Sequence, residues 1–326
     1  MPDDRTVALL LTHSHDHYVI DLVGESLRRL GANPVRMDTD LPLAQSELAI
    51  EVAGSRASHQ VQLGNHLIDA HRVCAVWTRQ IRAPATDDRL EAQYRDGCIR
   101  NAMAARDGFF SACLKARWVN RLDAIRAASN KIHQLRMARA VGLRTPATLV
   151  TTSSSRARAF FESFRGNVVA KLLINLSSSM EHATFFVRTT DLTEEHLASL
   201  DSLRHCPMIF QERINKTREL RVVVVAGTAF IGAIDAPGFA DWRLASPEQA
   251  QWSHGTLDDD TLARLRSLME KLGLIYGAID VIETNAGPPV FLEVNPTGEW
   301  GMLQKTLNLP IAEAIAGALM DREATT

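Results

Sequence analysis

The chain has 326 residues with 36 Lys and Arg against 38 Asp and Glu, a formal net charge of −2, so no global field favours nucleic acid or an anionic membrane. Its composition, 46% hydrophobic and 23% charged, is that of a globular protein, and at ~100–200 residues per domain the length predicts two or three domains. The longest run without an ionisable residue, Val222 to Ile234, is too short for the ~20 residues of a spanning helix, and the acidic start MPDDR lacks the marks of an export signal.

In chain order, Val7 to Leu11 is a continuous apolar run of strand length, and Val19, Leu22, Val23, Leu27 and Leu30 follow at helical spacing up to Gly31. Pro34 to Met37, the alternation Leu48, Ile50, Val52, and Val73 to Thr78 predict further strands, with a long helix over Arg89 to Leu114. Ser129 is placed to cap a helix carrying Ile132, Leu135, Ala138 and Val141. Thr148 to Thr151 is a strand, Phe160, Phe161 and Phe164 mark a short helix, and Val168 to Leu173 is strand-like, interrupted by Lys171. Strands then dominate at Met208–Glu212, Glu219–Ala226, Ala229–Asp235, Ala278–Glu283 and Val290–Asn295, with helices at Leu257–Leu272 and Ile311–Met320. Four cysteines (Cys74, Cys98, Cys113, Cys206) form no CxxC pair, as expected for reduced thiols in a cytoplasmic protein.

Two stretches invite a metal. Thr-His-Ser-His-Asp-His at 12–17 resembles the zinc motif of metallo-β-lactamase-type hydrolases, but one residue short and without that family's later ligand segments. The C-terminal string YGAIDVIETNAGPPVFLEVNPTGEW carries more: two strands joined by a Gly/Pro-rich turn. Strand alternation puts Glu293, Asn295 and Phe291 on one face and Leu292 and Val294 on the other. Pairing Asp280 near Glu293 then gathers hard oxygen ligands suited to Mg²⁺.

Upstream, Lys131 near a helix start and Lys171 inside a buried run are candidate phosphate cations, followed by the small-residue loop Asn175 to Met180. Gln211-Glu212-Arg213-Ile214 ends a strand with backbone groups available to an adenine edge. Glu219 is placed to accept ribose hydroxyls, and Arg221 shares its strand face and is suited to phosphate or acyl-phosphate.

The order Lys131, Lys171, Glu212, Glu219, Asp280, Glu293, Asn295 resembles the ATP-grasp superfamily, including RimK-like ligases and D-Ala-D-Ala ligases. LLLTHSHD, AVWTRQ, WVNRLDAIRAASNKIHQLRMARAVGLRTPATLVTT, QERINKTRELRVVVV, DWR and GLIYGAIDVIETNAGPPVFLEVNPTGEW are similar to the maturases of microviridin-type peptides, the graspetides. The resemblance implies a three-domain ATP-grasp fold: a pre-ATP-grasp α/β domain at 1–125, a central α+β domain at 126–206 and a C-terminal antiparallel-sheet domain at 207–326. It implies ATP with Mg²⁺, two ions, and a precursor-peptide partner whose side-chain carboxylate becomes an acyl-phosphate. A Thr or Ser hydroxyl or a Lys amine then closes an ester or amide ring.

By the same resemblance Lys131 and Lys171 meet phosphates, Gln211, Glu212 and Ile214 the adenine, Glu219 the ribose, and Asp280, Glu293 and Asn295 magnesium. D-Ala-D-Ala ligases carry an Arg where this chain has Ala278, so the acyl-phosphate cation is expected to be Arg221 or Arg243. Arg213 is expected to bind an acidic peptide side chain, and Trp300 either walls the acceptor pocket or lies in the core. A leader segment is expected to dock between roughly residues 145 and 215, on a homodimer like related enzymes. The alternatives are a RimK-like ligase adding an amino acid to a protein tail, a zinc hydrolase built on His13, His15 and His17, and a non-catalytic nucleotide-binding regulator.

Overall fold

The computed structural model describes residues 7–42, 45–174, 189–234, 251–285 and 287–321. Strand β1 (Val7–Thr12) leads through helix α1 (Tyr18–Arg29) to a parallel neighbour, β2 (Asn33–Asp38). Three antiparallel strands, β3 (Ser46–Ala53), β4 (Arg56–Leu63) and β5 (His66–Asp69), form a small separate sheet. The chain then returns through β6 (Val73–Thr78), helix α2 (Ala92–Ala112) and β7 (Arg117–Val119), giving a parallel sheet of order β2-β1-β6-β7. Ala8, Leu10, Ala75 and Trp77 pack with Val19, Val23 and Leu27 of α1, while Leu9, Leu11, Val73 and Val76 pack with Phe109 and Phe110 of α2. Strands buried on both faces must be apolar at every position, hence the continuous runs at 7–11 and 73–78. The alternation at 48–52 does form a strand, but in the small sheet, where Val52 is 73% exposed.

Helices α3 (Leu122–Ala128) and α4 (Lys131–Ala140) follow. Asn130, not Ser129, caps α4: its Oδ1 accepts from the Ile132 and His133 amides at 3.1 and 3.0 Å. Ser129 instead donates its hydroxyl to the Ile125 carbonyl at the end of α3. Then come β8 (Thr148–Thr151), α5 (Ser154–Ser163), β9 (Val168–Lys171), β10 (Thr190–Asp191), α6 (Glu194–Leu197) and β11 (Met208–Glu212), whose antiparallel sheet has the order β10-β9-β11-β8.

The last part of the chain holds β12 (Arg218–Val225), β13 (Thr228–Ile234), β14 (Trp252–His254), α7 (Asp259–Lys271), β15 (Tyr276–Glu283), β16 (Val290–Asn295), α8 (Gly301–Leu307) and α9 (Ile311–Met320). Its sheet is antiparallel, in the order β14-β13-β12-β15-β16. One face (Val222, Val224, Ile279, Val281) packs on Leu265, Leu268 and Met269 of α7. The other (Val223, Val225, Tyr276, Ala278) joins α1 and α9 in the core that also holds Ala8 and Leu10, so the first and last parts of the chain share one apolar interior. Among the described residues no helix is long and apolar enough to cross a membrane.

One strand departs from simple alternation. Asp280 pairs with Glu293, but Val281 pairs with Phe291, so Leu292 is an extra residue, a β-bulge. The bulge turns Phe291 away from the face of Glu293, where alternation had placed it, and into the α7-side core with Val281 and Val294.

Candidate active site

Along one face of the C-terminal sheet, Tyr276 and Ala278 of β15 and Val225 and Val223 of β12 are core residues, and the next residues on that face are Asp280 and Arg221. Asp280 lies directly between Arg221 on one neighbouring strand and Glu293 on the other, and Ala278 pairs with Asn295. The site therefore begins where the apolar lining of that face stops. Two carboxylates directly opposite each other repel. Cations offset this: Arg221 Nη1 donates to Asp280 Oδ1 at 2.7 Å, and Lys131 Nζ lies 3.1 Å from Glu293 Oε2.

Lys131 reaches Glu293 because α4 lies along the edge of β16. The stripe Lys131, Gln134, Leu135, Ala138 has the i, i+3, i+4, i+7 spacing of one helix face. Gln134 accepts from the Val294 amide at 3.0 Å and donates to the Val294 carbonyl at 2.8 Å, satisfying the strand edge and fixing the helix one turn from Lys131.

Lys171 ends β9 and is only partly buried at its surface. Burial pushes its ammonium below the ordinary lysine range; Glu293 and Asp280 oppose that push, and Lys131 adds to it. For Glu293, burial pushes the carboxyl upward, but the charges of Lys131 and Lys171 outweigh it and hold the group ionised below its usual range. Burial likewise disfavours a charged Arg221, and Asp280, Tyr276 and Glu293 together more than compensate. Three cations thus surround two carboxylates, leaving excess positive charge for a polyphosphate.

Asp280, Glu293 and Asn295 offer only oxygen ligands, the donor set a hard divalent cation takes. Asn295 Oδ1 accepts from the Thr297 amide at 3.0 Å and from the Thr297 hydroxyl at 3.4 Å, which fixes the carboxamide. The fit to Mg²⁺ is good on this chemistry.

Other expected residues lie elsewhere. Glu212 Oε2 accepts from the Ala147 amide at 3.2 Å, at the opposite end of the β9–β11 ladder from Lys171. Gln211 is buried between β8 and β9, its carboxamide donating to Thr148 Oγ1, so its side chain has no exposed surface for a nucleotide. Ile214 follows in the connection to β12, and Glu219 pairs with Lys216. Arg213 Nε lies 2.8 Å from Asp191 Oδ1, a half-exposed pair on the central sheet.

Trp300 corrects the pocket-wall expectation: it is fully buried in the core shared with α1 and α9. Arg243 and the loop Asn175 to Met180 lie outside the described residues. The His string does not gather. His13 is buried while His15 and His17 are exposed, and Asp16 is taken by Thr12 Oγ1 and Arg79. Among the described residues, the histidine string included, no group of three or more His, Cys, Asp and Glu is arranged to hold a metal.

Ala278 is fully buried beneath Gly298, where a Cβ would fall 2.6 Å from that of Ala278 and 2.8 Å from Arg221 Nη2. A long side chain has no room at 278, and the guanidinium in that neighbourhood is Arg221, supplied from the adjoining strand. Sequence reasoning assigned no role to Arg79, Asn120, Tyr276 or Glu299, all of which hold the turn after Asn295. Their only local signal was that Arg79 directly follows a buried strand and Glu299 follows a Gly.

Residues 7–126 match the family model of the MvdD pre-ATP grasp domain, and residues 128–319 match that of the RimK-like ATP-grasp domain. The macrocyclase MdnB from Microcystis aeruginosa MRC is 43% identical, with 97% of this chain and 99% of that one covered and a TM-score of 0.84. MdnC from the same organism, a macrocyclase solved bound with precursor peptide MdnA, is 29% identical over 96% and 99% of the two chains, at a TM-score of 0.86. A RiPP-associated ATP-grasp ligase from Chryseobacterium gregarium, solved with ADP and a leader and core peptide, is 25% identical over 97% of each chain, at a TM-score of 0.89. No curated protein matches the chain.

Proposed function

The chain belongs to the RimK-like ATP-grasp family, and from that premise we propose that it is an ATP-dependent macrocyclase acting on a ribosomally made precursor peptide. The observation that carries the reading is the cluster of Lys131, Lys171 and Arg221 around Asp280 and Glu293, in a chain 43% identical to a macrocyclase over nearly its whole length. Lys131 and Lys171 hold ATP phosphates, while Glu212, Ile214 and the main chain at Gln211 line the adenine side and Glu219 the ribose. Asp280, Glu293 and Asn295 would hold Mg²⁺, as two ions, which supplies neutralising charge at the transferring phosphoryl group.

A peptide carboxylate attacks the γ-phosphorus and ADP departs, leaving an acyl-phosphate. Arg221, beside Asp280, faces the negative charge of that mixed anhydride; Arg243 is the other candidate. A Thr or Ser hydroxyl or a Lys amine of the same peptide then attacks the acyl carbon, losing its proton and expelling phosphate. Holding both reacting groups on one site supplies the remaining advantage. A homodimer is proposed on the resemblance alone, and a cytoplasmic location on the four cysteines read as reduced thiols.

Arg213 is assigned to an acidic side chain of the peptide, which would take the place of Asp191 on an already half-exposed guanidinium. Arg213→Ala is expected to weaken peptide modification by about tenfold, near the lower end of a charge-assisted contact, with ATP affinity unchanged. Kinetics with peptide and ATP varied separately check this, and equal loss of both rules the role out.

The function itself is tested by mass spectrometry of candidate precursor peptides incubated with the protein, ATP and Mg²⁺. The proposal predicts stepwise loss of one water per bond. A mass gain by amino-acid residues establishes the RimK-like tail-adding reading instead.

A further inference from the structure

The turn from Pro296 to Glu299 is held in an uncommon way: four consecutive carbonyls are each captured by a different side chain. Asn120 Nδ2 donates to Pro296 O at 2.9 Å, Arg79 Nη1 to Thr297 O at 2.6 Å, Tyr276 Oη to Gly298 O at 2.6 Å, and Arg221 Nη2 to Glu299 O at 2.9 Å. A peptide unit is planar, so fixing its carbonyl fixes its N–H. The unit held by Asn120 is the one whose other end, the Thr297 amide, donates to Asn295 Oδ1. The next unit is held by Arg79, which is 4% exposed and lies at the end of β6 in the parallel sheet.

Arg79 makes a second contact with the same turn. Its Nη2 donates to Glu299 Oε2, and the other carboxylate oxygen, Oε1, accepts from the Trp300 and Gly301 amides at 3.0 and 2.7 Å at the start of α8. Its Nε lies 3.5 Å from Asp16 Oδ2, which itself accepts from Thr12 Oγ1 in the loop after β1. Taking a guanidinium almost wholly out of water is costly, and this one is repaid by groups on both sides of the boundary between the first and last parts of the chain.

We propose that Arg79, through Thr297 and Glu299, is a positioning residue for the metal ligand Asn295, so that the N-terminal sheet is a working part of the cation site. The inference rests on the reading of Asp280, Glu293 and Asn295 as metal ligands. The hydrogen bonds and ion pairs of Arg79 go to Thr297, Glu299 and Asp16, and none to Asp280, Glu293 or Asn295. Arg79 fixes the turn from which Asn295 projects, as outer groups that orient metal ligands do.

The test separates metal affinity from nucleotide affinity in the full chain, using Mn²⁺ as probe. Mn²⁺ binding to the ADP-saturated protein is measured by electron paramagnetic resonance, and ADP binding without metal by calorimetry. Arg79→Ala and the milder Glu299→Gln, which keeps an acceptor for the α8 amides, are each expected to weaken Mn²⁺ binding about 10–100-fold while metal-free ADP affinity changes by less than about twofold. Glu299→Gln keeps the test standing where Arg79→Ala fails to fold. Unchanged Mn²⁺ affinity in either folded variant overturns the proposal, as does equal weakening of Mn²⁺ and metal-free ADP, which would mark a merely structural contact. Asp280→Asn serves as control: if it leaves Mn²⁺ affinity intact, the metal reading itself fails, whatever Arg79 does.

Discussion

Glu293→Gln is expected to lower peptide-dependent ADP formation by about 10³-fold or more, the scale seen when a preorganised electrostatic element of an active site is lost. The substitution keeps the shape of the side chain and removes its charge. Glu293 sits directly opposite Asp280 and 3.1 Å from Lys131, and the charges of Lys131 and Lys171 keep it ionised despite burial. With Gln there, Asp280 alone faces three cations, and a divalent ion loses a charged ligand from a set of three. The strand stays: Val294, on the other face, remains in the α7-side core and hydrogen-bonded to Gln134. Circular dichroism is therefore expected to match the unsubstituted protein. A folded variant with an undiminished rate refutes the metal assignment.

Lys171→Ala is the second large effect, an expected fall of about 10²-fold in kcat/KM for ATP, with KM rising and kcat falling together. Lys171 ends its strand with its ammonium disfavoured by burial and supported by Glu293 and Asp280. A phosphate beside it supplies the counter-charge that burial makes costly to lack, and more charge gathers there as the phosphoryl group moves. Loss of the ammonium thus weakens both the bound state and the transition state. An unchanged dependence of rate on ATP concentration contradicts the assignment.

The sequence was most legible where burial is two-sided. The runs at Val7 to Leu11 and Val73 to Thr78, and the helix of Val19, Val23 and Leu27, follow from apolar periodicity alone. The strands β4 and β5 escaped because RASHQVQL and HLID carry too few apolar residues to make a run. The bulge at Leu292 left no local mark, and it alone decides that Phe291 faces α7 rather than Glu293.

In the site, Asp280, Glu293 and the two lysines were legible because charges embedded in apolar strands or at a helix start are costly without a purpose. Arg79, Asn120 and Glu299 were not. Their partners lie 218, 176 and 220 residues away along the chain, for Arg79–Thr297, Asn120–Pro296 and Glu299–Arg79. Trp300 shows the opposite limit: an aromatic just after Gly298-Glu299, close to the candidate metal ligands, looks like a pocket wall, yet tertiary packing buries it completely.

In the proposed reaction a cluster built from Lys131, Lys171, Arg221, Asp280 and Glu293 drives ring closure through an acyl-phosphate. This is tested most directly by identifying the nucleotide product and counting it against water lost from the precursor peptide in the same reaction. ADP is expected, one per water lost, with Glu293→Gln lowering both by about 10³-fold or more. Formation of AMP, or ring closure without nucleotide cleavage, would contradict the proposed reaction.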